Sequence, residues 1–397
     1  RSFLPAMSQE LAFVVVTPHT IRKSRTGAVI GRMLSLSSTE LIATRMFATC
    51  REMAERYAAS IRPITDPEDE RHRQLIREYI LRNFSPSPNG RRHRSLVLVF
   101  RGENAYADIK RVLGSVKITN ETGETVRDTY SELVYDEDGS VRYFEPAVLI
   151  PDSPESVLQD LNMWMECSEA ERTMLSEVGQ YAHPEQVQQT LVMIKPDNWR
   201  TRSSRPGAII DMFSRTGLRM ISMKLNRMSV AQALEFYGPV EDALKQKLAP
   251  VAARRALSAI EGEFGFTLPK GSLKALTELA GLPYAHHQFQ EIVSFMTGRR
   301  PNRCSPADMK RDGLVKSLVI VYEGENAVAK IRDVLGPTDP SKAPGGTVRS
   351  EFGSTIMVNT AHASDSPENA AREIEILRMD ESNFAQVVRR AIAETRN

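Results

Sequence analysis

Two apolar runs, each ending at a proline, divide the hydrophobic pattern of the chain into two similar halves. L-A-F-V-V-V-T-P-H occupies residues 11–19, and T-L-V-M-I-K-P-D occupies residues 190–197. Short apolar runs of this kind predict buried strands. A helix signal follows each run, beginning at Gly27 in the first half and at Gly207 in the second. The two halves therefore predict the same opening elements.

A near-identical segment confirms that one unit occurs twice in the sequence. Residues 95–114 read S-L-V-L-V-F-R-G-E-N-A-Y-A-D-I-K-R-V-L-G, and residues 317–336 read S-L-V-I-V-Y-E-G-E-N-A-V-A-K-I-R-D-V-L-G. We place the first copy at 9–178 and the second at 189–380, joined by a polar linker with Pro184. Residues kept in both copies indicate what the fold needs. A reactive residue kept in one copy indicates chemistry retained there.

Each copy alternates strands and helices in a way that predicts the fold class. In the second copy the later elements are a strand at Leu318–Tyr322, a helix at Asn326–Leu335, a strand at Ser354–Val358 and a helix at Glu368–Leu377. Such alternation within one unit favours an α+β sandwich of ferredoxin-like type, βαββαβ, in tandem.

Insertions distinguish the copies. The second copy carries an Ala- and Leu-rich stretch at about 238–287, whose spacing predicts extra helices. The first copy gains residues near Tyr135–Arg142, where D-E-D-G between β-prone residues predicts an extended hairpin.

Composition limits the classes of partner and compartment. The 397 residues are 41% hydrophobic and 26% charged with a formal charge of +2, so we expect a soluble globular protein and disfavour nucleic acid as a partner. Local basic clusters at 91–94 and 299–303 are interpreted as solvated loops. The three cysteines are far apart and no apolar run is long enough to span a membrane, so a reducing, cytoplasmic setting is expected. The chain opens without an initiator methionine, which leaves organelle import open.

The most informative stretch is N-T-A-H-A-S-D-S-P at 359–367, followed by Glu373. A single histidine at a strand end is more often structural than catalytic. Further motifs accompany it, namely K-P-D at 195–197, E-G-E-N-A-V at 323–328, R-x-x-x-G at 332–336, T-D-P at 338–340 and G-G-T-V-R at 345–349. Together these motifs resemble the nucleoside diphosphate kinase family, whose histidine motif is N-x-x-H-G-S-D-S. The resemblance covers most of both copies apart from the insertions.

The resemblance implies a role for each matching position in the second copy. His362 would take the γ-phosphate of a nucleoside triphosphate, with ATP the expected donor, and pass it to a nucleoside diphosphate in a ping-pong reaction. Glu373 would orient its ring, and Tyr237 would lie beside it. The other expected nucleotide contacts are Lys195, Arg332, Thr338 and Arg349 on phosphates, Asn359 on the ribose, and Ile356 and Phe289 near the base. Mg²⁺ would be held mainly by the nucleotide phosphates, without a protein metal site.

Elementary chemistry supports these roles. Phosphoryl transfer needs an in-line nucleophile and cations that absorb charge on the equatorial oxygens. A neutral imidazole can act as the nucleophile near pH 7, and a carboxylate partner selects its tautomer. No G-x-x-x-x-G-K-[ST] motif is present, which disfavours a phosphate-loop kinase. Arg349 and Tyr237 have counterparts in Arg127 and Tyr57, so roles in folding stay open for both.

The first copy lacks most of this set. Leu149 stands at the nucleophile position and Asp160 at that of the orienting glutamate; the other replacements are Thr17, Lys110, Val116 and Pro146. We expect a pseudo-kinase domain that pairs with the second copy as an internal pseudo-dimer, with homo-oligomers or a larger assembly left open.

Two departures from the family pattern support a second hypothesis about function. Ala363 replaces the glycine of the family motif, and Gln288, beside Phe289, falls at the position of the base-stacking phenylalanine. The alternative is a non-catalytic nucleotide-binding or structural subunit of a larger assembly, which the insertions and the degenerate copy favour.

Overall fold

Two four-stranded sheets with the same strand order form the framework of the chain. The computed structural model describes residues 9–116 and 122–395. The strands of the first copy are β1 (Glu10–Val16), β2 (Glu40–Phe47), β3 (Ser95–Gly102), β4 (Glu132–Tyr135), β5 (Val141–Glu145) and β6 (Val148–Leu149). Those of the second copy are β7 (Val187–Ile194), β8 (Arg219–Asn226), β9 (Ser317–Glu325) and β10 (Ala361–Ala363).

The sheet orders are β2-β3-β1-β6 and β10-β7-β9-β8. In both, the first strand of the copy lies between the third and the last, which is the βαββαβ ferredoxin-like arrangement. The predicted fold class, two tandem α+β sheets of this type with helical insertions, is therefore confirmed.

The described residues also form helices in both copies. The helices of the first copy are α1 (Pro18–Arg22), α2 (Thr26–Leu36), α3 (Arg51–Ser60), α4 (Pro67–Asn83), α5 (Ala105–Leu113), α6 (Val126–Tyr130) and α7 (Val157–Ala170). After them come α8 (Arg205–Ser214), α9 (Val230–Phe236), α10 (Gly238–Phe264), α11 (Ser272–Leu276), α12 (Leu282–Thr297), α13 (Pro306–Met309), α14 (Ala327–Leu335), α15 (Val348–Phe352), α16 (Pro367–Ile376) and α17 (Phe384–Thr395). Within the described residues, no helix has the length and apolar character needed to cross a membrane.

The central strands follow the apolar runs of the sequence. β1 is buried from Leu11 to Val16 and pairs antiparallel with β3, with Phe13 opposite Val99. β7 pairs with β9 in the same way, with Leu191 opposite Val321. Each central strand stops just before its proline, because proline has no N–H to continue the ladder.

The predicted strand at Ser354–Val358 is wrong. This stretch is a turn in which the amides of Ser354 and Thr355 both donate to the carbonyl of Val358, at 2.9 and 3.3 Å. The closed turn leaves Ile356 exposed. The last strand, β10, forms three residues later and contains His362 itself.

The two insertions have the predicted secondary structure. β4 and β5 pair as an antiparallel hairpin around the D-E-D-G segment. In the second copy, helices α10 to α12 run from Gly238 to Thr297, with a π-helical turn at Thr277–Gly281. Gly281 lets two of these helices approach, since a Cβ there would lie 2.4 Å from the carbonyl oxygen of Ala249.

The chain divides into two compact units that do not coincide with the two copies. One contains the described parts of Arg1–Leu225 and Leu318–Asn397, and so holds both sheets. The other is Asn226–Ser317, which consists largely of the inserted helices. Below they are called the sheet unit and the helical unit.

Inside the sheet unit the copies meet along α2 and α8. Gly27 and Gly207 lie at the contact: a Cβ on Gly27 would be 2.4 Å from the carbonyl oxygen of Gly207, and the reverse distance would be 2.2 Å. The amide of Ala28 also donates to the Asp211 carboxylate, at 2.9 Å. Glycine is thus required on both helices by close approach.

Each copy also sends its C-terminal tail onto the other. Helix α17 follows the second copy but packs on α7 and β2 of the first, with the rings of Phe384 and Phe47 5.8 Å apart. Arg101 of β3 pairs with Glu394 at 2.7 Å. In the opposite direction, the amide of Leu175 donates to the carbonyl of Ile221 in β8, at 3.0 Å.

Candidate functional site

His362 lies in the edge strand β10, opposite Met193 of β7. Ala361 lies opposite Ile194, so the histidine is one pair away from the end of the central strand. The central strand is buried and continuous, so it gives the imidazole a rigid backbone position.

The imidazole is held by Glu373, which projects from α16. The Nε2 atom of His362 lies 2.9 Å from Oε1 of Glu373, and the Ser364 hydroxyl donates to Oε2 at 2.7 Å. Ser366 caps the helix by accepting from the amide of Asn369. Both oxygens of the buried Glu373 carboxylate have a hydrogen-bond partner, so its position is fixed. The carboxylate in turn fixes the orientation of the His362 ring.

Ser364 is a residue that sequence reasoning missed. The signal was available, because it is the serine of the family's histidine motif. Its role as the second partner of the glutamate depends on β10 and α16 packing together, which spacing alone does not reveal.

Lys195, Asn359 and the Thr338 loop form a second connected group. The ammonium of Lys195 donates to Oδ1 of Asn359 at 2.6 Å, and the Asn359 amide nitrogen donates to the carbonyl of Thr338 at 3.1 Å. Asn359 is only 2% exposed. Its amide thus positions the lysine and the loop, whereas we had predicted a contact with ribose. Thr338 itself is exposed.

Arg349 is buried beside the same strand. Its Nη1 donates to the carbonyl of Gly336 at 2.9 Å and its Nη2 to that of Ala361, next to His362, at 3.0 Å. Its Nε is buried and has no hydrogen-bond partner within the described residues. The side chain is 7% exposed and carries one N–H that the protein leaves unused.

Three cations of this region influence one another. Burial lowers the pKa of Lys195 to about 8; the positive charge of Arg349 lowers it further and Asp197 opposes the shift. Burial, followed by the exposed Arg332 on α14, lowers the pKa of Arg349 to about 10. The site therefore concentrates positive charge near His362, an arrangement that favours an anionic ligand.

The backbone before His362 is unusual and depends on residues that we did not predict. Thr360 has a φ of 75°, a left-handed conformation that costs energy for a β-branched residue. Its carbonyl accepts from the Lys195 amide at 2.9 Å and from the Asn198 side chain at 2.7 Å, and its hydroxyl accepts from Arg205 at 3.0 Å. No local pattern indicates these contacts, because they join three distant segments.

The remaining predicted residues fall into two groups. Ile356 is 62% exposed at the tip of the turn, where an apolar surface is available to a ligand. Tyr237 and Phe289 belong to the helical unit, and both are buried. Phe289 is 2% exposed, so its ring is covered by protein, and its contact with the base stays a prediction. It packs inward because α12 has an apolar face there.

The equivalent place in the first copy has the predicted replacements. Leu149 pairs with Val15 as His362 pairs with Met193, and it is buried. The Thr17 hydroxyl, at the lysine position, donates to the carbonyl of Pro146 at 2.7 Å. No imidazole or ammonium group therefore occupies the corresponding positions of the first copy.

Known proteins resemble this chain over its second half. The nucleoside diphosphate kinase family profile matches residues 188–247 and 309–382, on either side of most of the inserted helices. The nucleoside diphosphate kinase of Campylobacter hominis is 34% identical over 188 residues, covering 47% of this chain and 93% of that protein. The enzyme of Granulibacter bethesdensis is 33% identical, with 47% and 91% coverage.

Solved structures include the nucleoside diphosphate kinase of Aquifex aeolicus, 26% identical with a TM-score of 0.30, which covers 48% of this chain and 94% of that one. The NDP kinase of Pyrobaculum aerophilum is 27% identical with a TM-score of 0.33, at the same coverage. On the sequence matches, the chain belongs to the nucleoside diphosphate kinase family.

Proposed function

We propose that the second copy transfers the γ-phosphate of a nucleoside triphosphate, with ATP the main donor, to a nucleoside diphosphate through phosphohistidine at His362. One observation carries the proposal: an imidazole held at 2.9 Å by a buried carboxylate lies in the region where Lys195, Arg349 and Arg332 gather. A structural histidine would not require mutually repelling cations beside it.

The proposed chemistry begins at Nδ1 of His362, because Glu373 holds Nε2. A bond forms between Nδ1 and the γ-phosphorus as the bond from that phosphorus to the β–γ bridging oxygen breaks. The nucleoside diphosphate leaves with the electron pair, and the Nε2 proton stays hydrogen-bonded to Glu373, which stabilises the positive ring. A second nucleoside diphosphate then attacks the phosphohistidine, which reverses the same steps.

The neighbouring cations would stabilise charge on the transferring group. Lys195 is proposed to contact the phosphate directly, with Asn359 holding its ammonium in place. Arg349 would contribute its unused Nε–H and its field, since both terminal nitrogens bind backbone carbonyls. Arg332 and Thr338 are exposed and would meet the outer phosphate oxygens. Ile356 would contact the base.

Magnesium fits this site as part of the nucleotide. Within the described residues, no group of three or more His, Cys, Asp or Glu side chains could hold a metal ion. We propose that the ion arrives bound to phosphate oxygens and reduces their charge. Cationic side chains of the protein would contact the phosphate oxygens that the metal ion does not bind.

The first copy is proposed to be a pseudo-kinase domain that supports the second as an internal pseudo-dimer. The exchanged tails and the contact of α2 with α8 support this role. The same proposal places the domain limits at 9–178 and 189–380. It also includes a cytoplasmic location and assembly into larger complexes.

Incubation of the intact chain with γ-labelled ATP and Mg²⁺ tests the function. We expect an acid-labile, alkali-stable phosphoprotein whose label is chased by nucleoside diphosphates. His362→Ala should give no label, whereas His183→Ala, which changes an exposed histidine of the linker, should label fully. Label that persists in the His362→Ala variant would show that His362 is not the nucleophile. Nucleotide binding without any label would favour the non-catalytic alternative.

A further inference from the structure

A second gathering of positive charge lies away from His362, in the sheet unit. Six of the nine residues that line a small cavity of about 30 Å³ are arginines or a histidine, namely Arg22, Arg91, Arg92, His93, Arg94 and Arg219; the other three are Pro18, Ile21 and Val178. The six come from the end of α1, from the segment before β3 and from the start of β8. The sequence indicated a solvated basic loop at 91–94, but the fold adds arginines from two other segments.

Neutralising charge is scarce around this cavity. Arg92 has a carboxylate partner in Glu171, 3.7 Å away. Arg94 and Arg219 instead donate to the backbone carbonyls of Met220 and Gln180. A carbonyl accepts a hydrogen bond but does not cancel a full charge.

Within the described residues, two arginine side chains and one further guanidinium nitrogen at this cavity have no hydrogen-bond partner. The side chains of Arg22 and Arg91 make no hydrogen bond or ion pair within residues 9–116 and 122–395. Nη1 of Arg219 is buried and has no hydrogen-bond partner there either. Donors are thus available at both the rim and the interior of the cavity.

The charges are close enough to disfavour one another. Burial lowers the pKa of Arg94 to about 10 and Arg219 lowers it further, while Tyr181 and Glu323 partly offset this. Burial also lowers the pKa of His93, as do the charges of Arg22 and Arg91. An anion in the cavity would relieve this repulsion.

We propose that this cluster binds a phosphate-type oxyanion, either inorganic phosphate or the terminal phosphate of a free nucleotide. Guanidinium groups match phosphate oxygens through paired N–H donors. The cavity admits one or two oxygens of a phosphate whose other oxygens would meet the exposed Arg22 and Arg91, and it is too small for a base. Tyr181, a ring that could stack on a base, is covered by Arg219 at 4.2 Å. A small anion therefore fits better than a nucleic acid strand.

Such a ligand would connect the two copies. Arg22, Arg91, Arg92 and Arg94 belong to the first copy and Arg219 to the second. Because an anion held by both binds the folded chain and not the unfolded one, it raises the melting temperature. The proposed ligand is thus of the same chemical class as the phosphates that the proposed active site handles.

Thermal unfolding of the full chain in 0–20 mM phosphate, at ionic strength matched with chloride, tests the site. We expect the melting temperature of the wild type to rise by roughly 3–6 °C. The shift should disappear in Arg22→Gln/Arg91→Gln. It should persist in Arg51→Gln/Arg82→Gln, which removes the same charge from exposed arginines of the same copy. Because Arg22 and Arg91 are exposed and unpaired, the cluster variant should fold.

The same assay separates this site from the proposed active site. Arg332→Gln should retain the phosphate shift, while phosphohistidine labelling reports independently on His362. A shift retained in the cluster variant but lost in Arg332→Gln would overturn the proposal. ADP that acts through Arg22 and Arg91 where phosphate does not would identify the nucleotide as the source. Tighter, Arg91-dependent binding of a single-stranded oligonucleotide would overturn the assignment of a small ligand.

Discussion

The same position of the same fold holds a polar, charged cluster in the second copy and apolar side chains in the first. In the second copy, β10 presents His362 beside Lys195 and Glu373. In the first, β6 presents Leu149 at the same register position. The cavity there measures about 10 Å³ and is lined mostly by apolar residues, including Ile76 of α4 and Phe144 of β5, together with Arg127 and Ser131. The inserted hairpin therefore contributes a ring to the place where a ligand would lie.

The copies also show which contacts belong to the fold. Arg127 donates to the carbonyl of Gly114 at 2.8 Å, and Arg349 donates to that of Gly336 at 2.9 Å. Both glycines have positive φ, 80° and 82°, so each arginine secures the same helix end. Within the described residues, Arg127 makes no counterpart to the bond from Arg349 to the Ala361 carbonyl, so this bond is the contact to associate with the proposed catalysis.

The largest expected effect is the loss of the nucleophile. His362→Ala should lower kcat by at least about 10⁴-fold, since removal of a covalent nucleophile leaves only binding and electrostatic contributions. The reciprocal graft, Leu149→His with Asp160→Glu, should gain no activity, because the pocket stays filled and Thr17 provides no charge. Steady-state kinetics and labelling check both. Measurable turnover by the graft in a His362→Ala background would show that the first copy can still bind nucleotide.

Arg349→Ala and Arg127→Ala form a matched pair that separates catalysis from folding. Both should cost about 1–3 kcal/mol of unfolding free energy, because each leaves a buried carbonyl without its donor. Only Arg349→Ala should also lower kcat, by on the order of 10²–10³. Denaturant unfolding and kinetics measure the two effects. Equal kinetic losses in the two variants would assign Arg349 to the fold.

Glu373→Gln should lower kcat by roughly 10–100-fold and change KM by less than about threefold, since the carboxylate stabilises the ring that forms during transfer. Ser364→Ala should have a weaker effect in the same direction. A loss confined to KM in both variants would mean that Glu373 supports binding instead of the nucleophile.

The smallest effect concerns pH and Lys195, whose pKa is lowered to about 8. Nucleotide affinity should fall by up to roughly tenfold between pH 7 and 9.5 as the ammonium loses its proton. Lys195→Met should bind weakly and with little pH dependence. Over the same range, the folded chain binds fewer protons at this group than the unfolded chain does. Its contribution to stability should therefore rise from pH 8 towards the ordinary pKa of 10.5.

Sequence reasoning reached the sheets through local apolar patterns, and it reached the His362–Glu373 pair through the resemblance to the family motif. Apolar runs predict β1 and β7, and the capped helix α16 brings a residue eleven positions on back to the histidine. Sequence reasoning could not predict the hydrogen bond between Arg205 and Thr360, because it joins segments 155 residues apart. It placed the last strand at 354–358 because I-M-V is β-prone, whereas the turn closed by Val358 prevents pairing there.

The exchanged tails have a consequence for how the chain is made. Ribosomal synthesis proceeds from the N-terminus, so the first copy can fold before α17 emerges. The surface of α7 and β2 that receives α17 is then already formed when the second copy is completed. The first copy would thus serve as an internal template, and swapping the order of the halves should slow maturation even if every native contact can still form.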